Sequence, residues 1–310
     1  MEGMGDRRSL PKDKSESIEN MSWLYDFPQI STSSLQSIRK TIDQSFFEFS
    51  ARHGEGIENF FDPLLSFLLF TEKLMTQTPW FVILGVISIL AWRVSHSVSL
   101  TMMATVLFVI IGLFGLWEDT MQTLSIILVA TFVCIIIGIP IGTLMHSNKV
   151  CERMLSPLLD VMQTIPTFVY LIPIIMLLGI GKVPGLIAVC VYSVPPIIRL
   201  TNLGLKQVSV GYVEAGMALG LSRQKILWMV KYPLATKSIM TGVNQTIMMC
   251  LSMVVIASMI GVAGLGANIL KAISNQYLTM GLFNGIAIVT IAIVLDRLFQ
   301  SYTKEHTPDK

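Results

Sequence analysis

Glu214-Ala-Gly-Met-Ala-Leu-Gly220, continued to Val230-Lys-Tyr-Pro233, is the stretch around which the chain is organised. It is polar and basic, and it lies between long apolar runs. Arg199 and Lys206 precede it; Arg223, Lys225, Lys231 and Lys237 fall within or beside it. The pattern predicts a short amphipathic helix, a glycine break, a second helical piece and a proline stop. Such an element is compact and stands outside a bilayer, with the flanking runs holding it in place.

Composition sets the frame. Hydrophobic residues make up 53% of the 310 and charged residues 14%, against about 25% charged in soluble domains. Mean hydropathy is +0.66. The chain is therefore expected to be an all-α, polytopic membrane protein. Its net charge of +2 is too near neutral to argue for nucleic acid. The cysteines (Cys134, Cys151, Cys190, Cys250) and histidines (His53, His96, His146, His306) show no metal-ligand spacing. Cysteines in apolar runs read as small core residues. No apolar stretch follows a basic start, so no cleaved signal peptide is expected.

Residues 1–34 are charged and Ser-rich, and they read as a disordered tail. Residues 35–78 carry apolar side chains at helical spacing (Leu35, Ile38, Ile42, Phe46, then Phe61, Leu64, Leu65, Leu68), with charges on other faces. They suit the membrane interface, or packing on a bundle. Seven spans follow: Trp80–Trp92, Val98–Trp117, Thr120–Met145, Leu158–Leu178, Val183–Leu200, Ile239–Ile260 and Gly281–Leu298. The first is short against the roughly 20 residues a span needs. Two of these spans fill 79–118. A core covers 119–300, with a loop at 203–236, and 301–310 form a tail. The basic residues Arg93, Lys149, Arg153, Arg199, Lys206 and the Arg223–Lys237 group gather on one side, which the positive-inside rule assigns to the cytoplasm. The N-terminus is then outside and the C-terminus inside.

No catalytic constellation is visible. Gly179-Ile-Gly-Lys182 lacks the first glycine and the Ser/Thr of a phosphate loop. Gly261-Val-Ala-Gly-Leu-Gly266 reads as a turn. Polar residues inside spans are functional candidates because desolvating them is costly. They are Asp160, Gln163 and Thr164 near the start of the fourth span and Asn244 and Gln245 in the sixth; Asp296 lies near the end of the seventh. Each set reads as pathway-lining or as helix–helix hydrogen bonding. Glycine pairs at Gly138/Gly142, Gly181/Gly185 and Gly281/Gly285 allow close helix approach. Prolines at 140, 166, 173, 195 and 196 imply bent spans.

The Glu214 stretch resembles the EAA loop of ABC importer membrane subunits. Glu214, Ala215, Gly216 and Gly220 are followed at the family's spacing by Val230 and Pro233; Gly216 stands where Ala is usual and Tyr232 where Leu is usual. Asp160-Val-Met-Gln-Thr-Ile-Pro-Thr-Phe-Val-Tyr-Leu-Ile-Pro173, Pro195-Pro-Ile-Ile-Arg-Leu-Thr201 and Gly242-Val-Asn-Gln-Thr246 resemble permeases of the glycine betaine/proline betaine/choline importers. The resemblance implies a type I ABC importer permease in the bacterial inner membrane, without an ATPase site of its own. A cytoplasmic ABC ATPase would dock on the 214–233 loop and hold the ATP and magnesium. An extracytoplasmic binding protein would deliver the substrate, and a second copy of the chain would complete the pathway as a homodimer. Quaternary ammonium compounds are the implied cargo, with another small polar solute, such as an amino acid, as the alternative.

Overall fold

The computed structural model describes residues 30–305, and among them every regular element is helical. Helix α1 runs Thr32–Gln77, followed by α2 (Trp80–Ser95), α3 (Val98–Leu113), α4 (Trp117–Ser147), α5 (Lys149–Thr164), α6 (Thr167–Leu178) and α7 (Lys182–Lys206). Then come α8 (Val210–Ala218), α9 (Arg223–Ile226), α10 (Tyr232–Ala257), α11 (Leu265–Asn275) and α12 (Leu278–Glu305). The disordered-tail expectation falls mostly on residues 1–29, outside the described part; Thr32, Ser33 and Ser34 already belong to α1. Of the tail expected at 301–310, residues 301–305 continue α12 and the remainder lies outside the described residues.

Two units separate at Phe49 and Ser50. The first contains the opening turns of α1, where Ile38, Ile42 and Phe47 are exposed. The second contains everything from Ser50 onward.

Within the second unit, α4, α7 and α10 form the centre. Ile127, Ala130 and Cys134 from α4, Leu186, Val189 and Ile197 from α7, and Ile247, Cys250 and Val254 from α10 are all buried together. Lipid tails are as apolar as leucine, so close packing rather than water exclusion holds such helices together. Small residues make that packing tight. A methyl group on Gly142 would lie 2.6 Å from the Ile198 carbonyl and 2.7 Å from Thr201 Cβ. One on Gly204 would lie 2.6 Å from Ser238 Cβ. Gly138 is equally closed by Ile197, whereas Gly285 faces open space. The glycine pairs predicted from spacing thus differ: the one on α4 is a helix contact, and Gly285 contributes none.

Four helices are long and apolar enough to span a membrane, and up to six spans result if each bent pair counts as one. The shorter apolar helix α3 stands at the position of the second predicted span. The fourth predicted span is not straight. α5 and α6 meet at an angle of 99°, with the break at Ile165-Pro166, because proline disfavours helical backbone in the residue before it. α1 and α2 are bent by 106° at the break ahead of Trp80, where Pro79 plays the same part. The loop expected at 203–236 is also shorter than its bounds, since Leu203–Lys206 finish α7 and residues 232–236 open α10.

Polar side chains fasten the two ends of this bundle. At one end, Asn268 donates to Asp119 at 2.6 Å and to Asn284 at 3.2 Å, and the Leu265 amide donates to Thr123 Oγ1 at 2.9 Å. Lys182 meets Glu72 at 2.6 Å with both side chains largely buried. At the other end, Glu152 accepts from Asn202 at 3.0 Å and also from Lys206. Lys206 first, then Asn202, holds the Glu152 carboxyl below its ordinary range, because both donors favour the charged form.

Candidate functional site

The Glu214 stretch folds as a short helix with both ends defined. α8 begins after Ser209 and ends in a left-handed turn at Gly220, where φ is +76°. The Leu221 amide reaches the Gly216 carbonyl at 3.1 Å and the Gly220 amide reaches that of Met217 at 2.9 Å. These two bonds are the Schellman closure, and glycine takes its left-handed position without a Cβ clash. The chain reverses at once, because the Ser222 hydroxyl accepts from the Lys225 amide at 3.4 Å and caps α9.

Gly216 is the buried residue of α8. A Cβ there would lie 3.4 Å from Ile226, 3.6 Å from Leu221 and 3.7 Å from Val230. Val230 therefore packs back onto the helix that carries Glu214, which explains their wide spacing in sequence. Glu214, Ala215 and Gly220 are exposed. So are Val210 at 68%, Tyr212 at 60%, Met217 at 53% and Leu219 at 82%. A nine-residue helix that buries a glycine and turns its large apolar side chains outward is shaped to meet another surface.

The expected proline stop does not occur. Pro233 stands in the first turn of α10, which continues to Ala257. Proline is tolerated in a first turn because its missing N–H would be unbonded there anyway. The chain accommodates it upstream by widening. Leu227–Lys231 form a π-helical turn, and the Tyr232 amide bonds Leu227 O, five residues back. The element is thus joined to a membrane-length helix as one unbroken run from Arg223 to Ile260. Two bonds pin that junction to the end of α4: Tyr232 OH with Thr143 Oγ1 at 2.6 Å, and Lys231 Nζ donating to His146 Nε2 at 2.8 Å. Trp228 stacks on Tyr232 with ring centres 4.7 Å apart. A cleft of about 530 Å³ opens between Ser147, Met217, Arg223 and Gln224.

The candidate pathway residues do not gather in one place. Asp160 on α5 pairs with Arg199 on α7. Gln163 and Thr164 are exposed near the end of α5, and the Thr164 hydroxyl donates to the Val161 carbonyl at 3.2 Å. Asn244 on α10 donates to Asp296 on α12 at 2.8 Å, so it bridges helices. Gln245, its neighbour, is exposed. The Gly261–Gly266 turn holds positive φ at Gly261 and Gly264 and leads into α11. Sequence reasoning did not find α11, the π turn or the Glu72–Lys182 pair. The pair joins residues 110 apart, which no local pattern records. For the π turn, a proline in the first turn of an apolar helix was an available signal.

Comparison with known proteins agrees with this geometry. Residues 134–304 match the model of the family described as "Binding-protein-dependent transport system inner membrane component". The glycine betaine/proline betaine transport system permease protein of Escherichia coli (strain K12) is 43% identical over 234 residues, which is 76% of this chain and 66% of that protein. The Salmonella typhimurium counterpart is 43% identical, with 61% of its length covered, so the chain spans slightly under two thirds of these relatives. The glycine betaine transport system permease protein of Bacillus subtilis (strain 168) is 42% identical across 68% of this chain and 75% of its own. Among solved structures, an inward-facing form of the MetNI methionine ABC transporter shares the fold at a TM-score of 0.55 and 20% identity, covering 60% of this chain and 94% of that one. The matched region takes in the later part of α4 from Cys134, all of α7 and α10 and the α8 knob, and the chain belongs to the family of binding-protein-dependent transport system inner membrane components.

Proposed function

We propose that the chain is the permease subunit of an ATP-driven importer for quaternary ammonium compounds, glycine betaine or proline betaine foremost and choline next. The observation that carries the reading is α8, an exposed apolar knob that is closed at Gly220 and packs, through Gly216, on the Arg223–Ile260 run that contains membrane-length α10. Such a knob receives a partner's movement and passes it into the bundle through a rigid element. The partner is a cytoplasmic ATPase, which holds ATP and magnesium. Glu214 and Ala215, exposed beside Tyr212 and Met217, make the contact. Gly216, Gly220, Val230 and Pro233 shape the element behind them.

The cargo reading rests on the relatives at 42–43% identity, whose names carry glycine betaine. The choline transport system permease protein of Bacillus subtilis is more distant at 31%. An extracytoplasmic binding protein delivers the cargo, and a second copy of the chain completes the pathway, with Asp160, Gln163, Thr164 and Gln245 toward its polar parts. The basic end of the bundle faces the cytoplasm, by the positive-inside rule, which puts the N-terminus outside.

Uptake of labelled glycine betaine and choline tests this in a transport-deficient bacterium that supplies the ATPase and binding protein. Glycine betaine is expected to accumulate in an ATP-dependent manner, and Glu214→Lys to abolish accumulation while the protein still inserts. Accumulation of neither label by an assembled complex would contradict the cargo reading. Undiminished uptake by Glu214→Lys would contradict the role of α8.

A further inference from the structure

One side of the bundle carries three apolar cavities of about 360, 360 and 320 Å³ that share walls. Leu90 and Leu298 line both the first and the third; Met240 and Phe299 line both the second and the third. They form one groove bounded by α2, α4, α10 and α12. It is open to the outside, since Val82, Val86 and Leu90 along its α2 wall are 41%, 51% and 54% exposed. From Val82 to Val94 the wall is thirteen residues long, which is roughly 18 Å over its twelve steps of helical rise. One leaflet of hydrocarbon is about 15 Å deep, so an acyl chain fits along it.

The mouth is lined by Val94, Met240 and Tyr302, and three cations follow or precede its lining residues closely in the chain. Arg93 adjoins Val94, Lys237 lies one turn before Met240, and Arg297 adjoins Leu298. All three are exposed, and none has an acidic partner among the described residues. Of the other cations toward this end, Arg199 is engaged by Asp160, Lys206 by Glu152 and Lys231 with His146, and the exposed Lys149, Arg153, Arg223 and Lys225 adjoin none of the residues that line this mouth. Asp296, next to Arg297, is taken up by Asn244 and Gln300. Free cations grouped at the mouth of an apolar groove match one ligand chemistry, a chain of hydrocarbon beneath a negative headgroup.

The geometry points to a site for an anionic phospholipid, its acyl chain in the α2–α4–α10–α12 groove and its phosphate among Arg93, Lys237 and Arg297. A lipid seated there contacts α10, part of the Arg223–Ile260 run on which the α8 knob packs.

Native mass spectrometry of the full-length chain in detergent tests the site, with phosphatidylglycerol and phosphatidylcholine offered in equal amounts. Phosphatidylglycerol is expected to be retained preferentially. Neutralising Arg93, Lys237 and Arg297 to Gln should weaken it roughly fivefold per cation, and phosphatidylcholine far less. A control variant, Lys149→Gln with Arg153→Gln, removes cations away from the groove and should leave retention unchanged. Leu298→Trp fills the groove and should reduce both lipids. Equal retention of the two lipids, or a triple variant no weaker than the control, would overturn the proposal. A changed oligomeric state in Leu298→Trp with unchanged lipid retention would assign the groove to a second copy and overturn it as well.

Discussion

Gly216 and Gly220 are four residues apart and respond to opposite physics. Gly220 holds φ at +76°, where a side chain costs about 1–2 kcal/mol. Gly220→Val should therefore destabilise α8 by that order and lower transport, with insertion unaffected; membrane localisation and uptake measured together check this. Gly216 has helical backbone, and a methyl there would make ordinary contacts at 3.4–3.7 Å. Gly216→Ala should hold transport constant and stabilise the fold by about 0.5–1 kcal/mol, seen as a higher midpoint in thermal unfolding. Gly142 is a third case, since its missing Cβ is what lets α4 meet α7. Gly142→Val should cost about 1–3 kcal/mol by overpacking, measured the same way. Sequence reading picked out all three glycines. It did not separate them, because backbone conformation and the distance to a neighbouring helix are tertiary facts that a one-letter pattern does not carry.

At the scale of elements, the junction between knob and span is the informative part. Pro233 reads from sequence as a stop, since inside a helix proline lacks the N–H donor and clashes with the preceding turn. Here the widened turn at Leu227–Lys231 and the first-turn position let α10 continue. The Tyr232–Thr143 bond at 2.6 Å fixes this turn on α4. Replacing one buried-side partner of a neutral hydrogen bond costs about 0.5–1.5 kcal/mol. Tyr232→Phe should lose that much and Thr143→Val little more in addition, because the two act on one bond. A double-mutant cycle on thermal stability reads the coupling, and fully additive losses would show that the bond contributes nothing. The bend between α5 and α6 was half legible: Pro166 indicated a break, but its 99° angle is set by what the two helices pack against.

Across the whole molecule, most of the membrane architecture could be read from the chain, and the cross-links could not. Apolar runs of the right length marked the helices. The Glu72–Lys182, Asp119–Asn268 and Glu152–Lys206 pairings join residues far apart in sequence and tie the helices of the bundle together, and the proposed function requires that bundle to transmit movement from α8. That transmission is the central claim, and ATP hydrolysis by the assembled complex measures it most directly. Wild-type and Glu214→Lys complexes, reconstituted with the ATPase, would be compared with and without substrate-loaded binding protein. The wild type should hydrolyse ATP faster when the loaded binding protein is added, and Glu214→Lys should lose that stimulation. Equal stimulation of the two would show that the signal reaches the ATPase by another route and would contradict the role of α8.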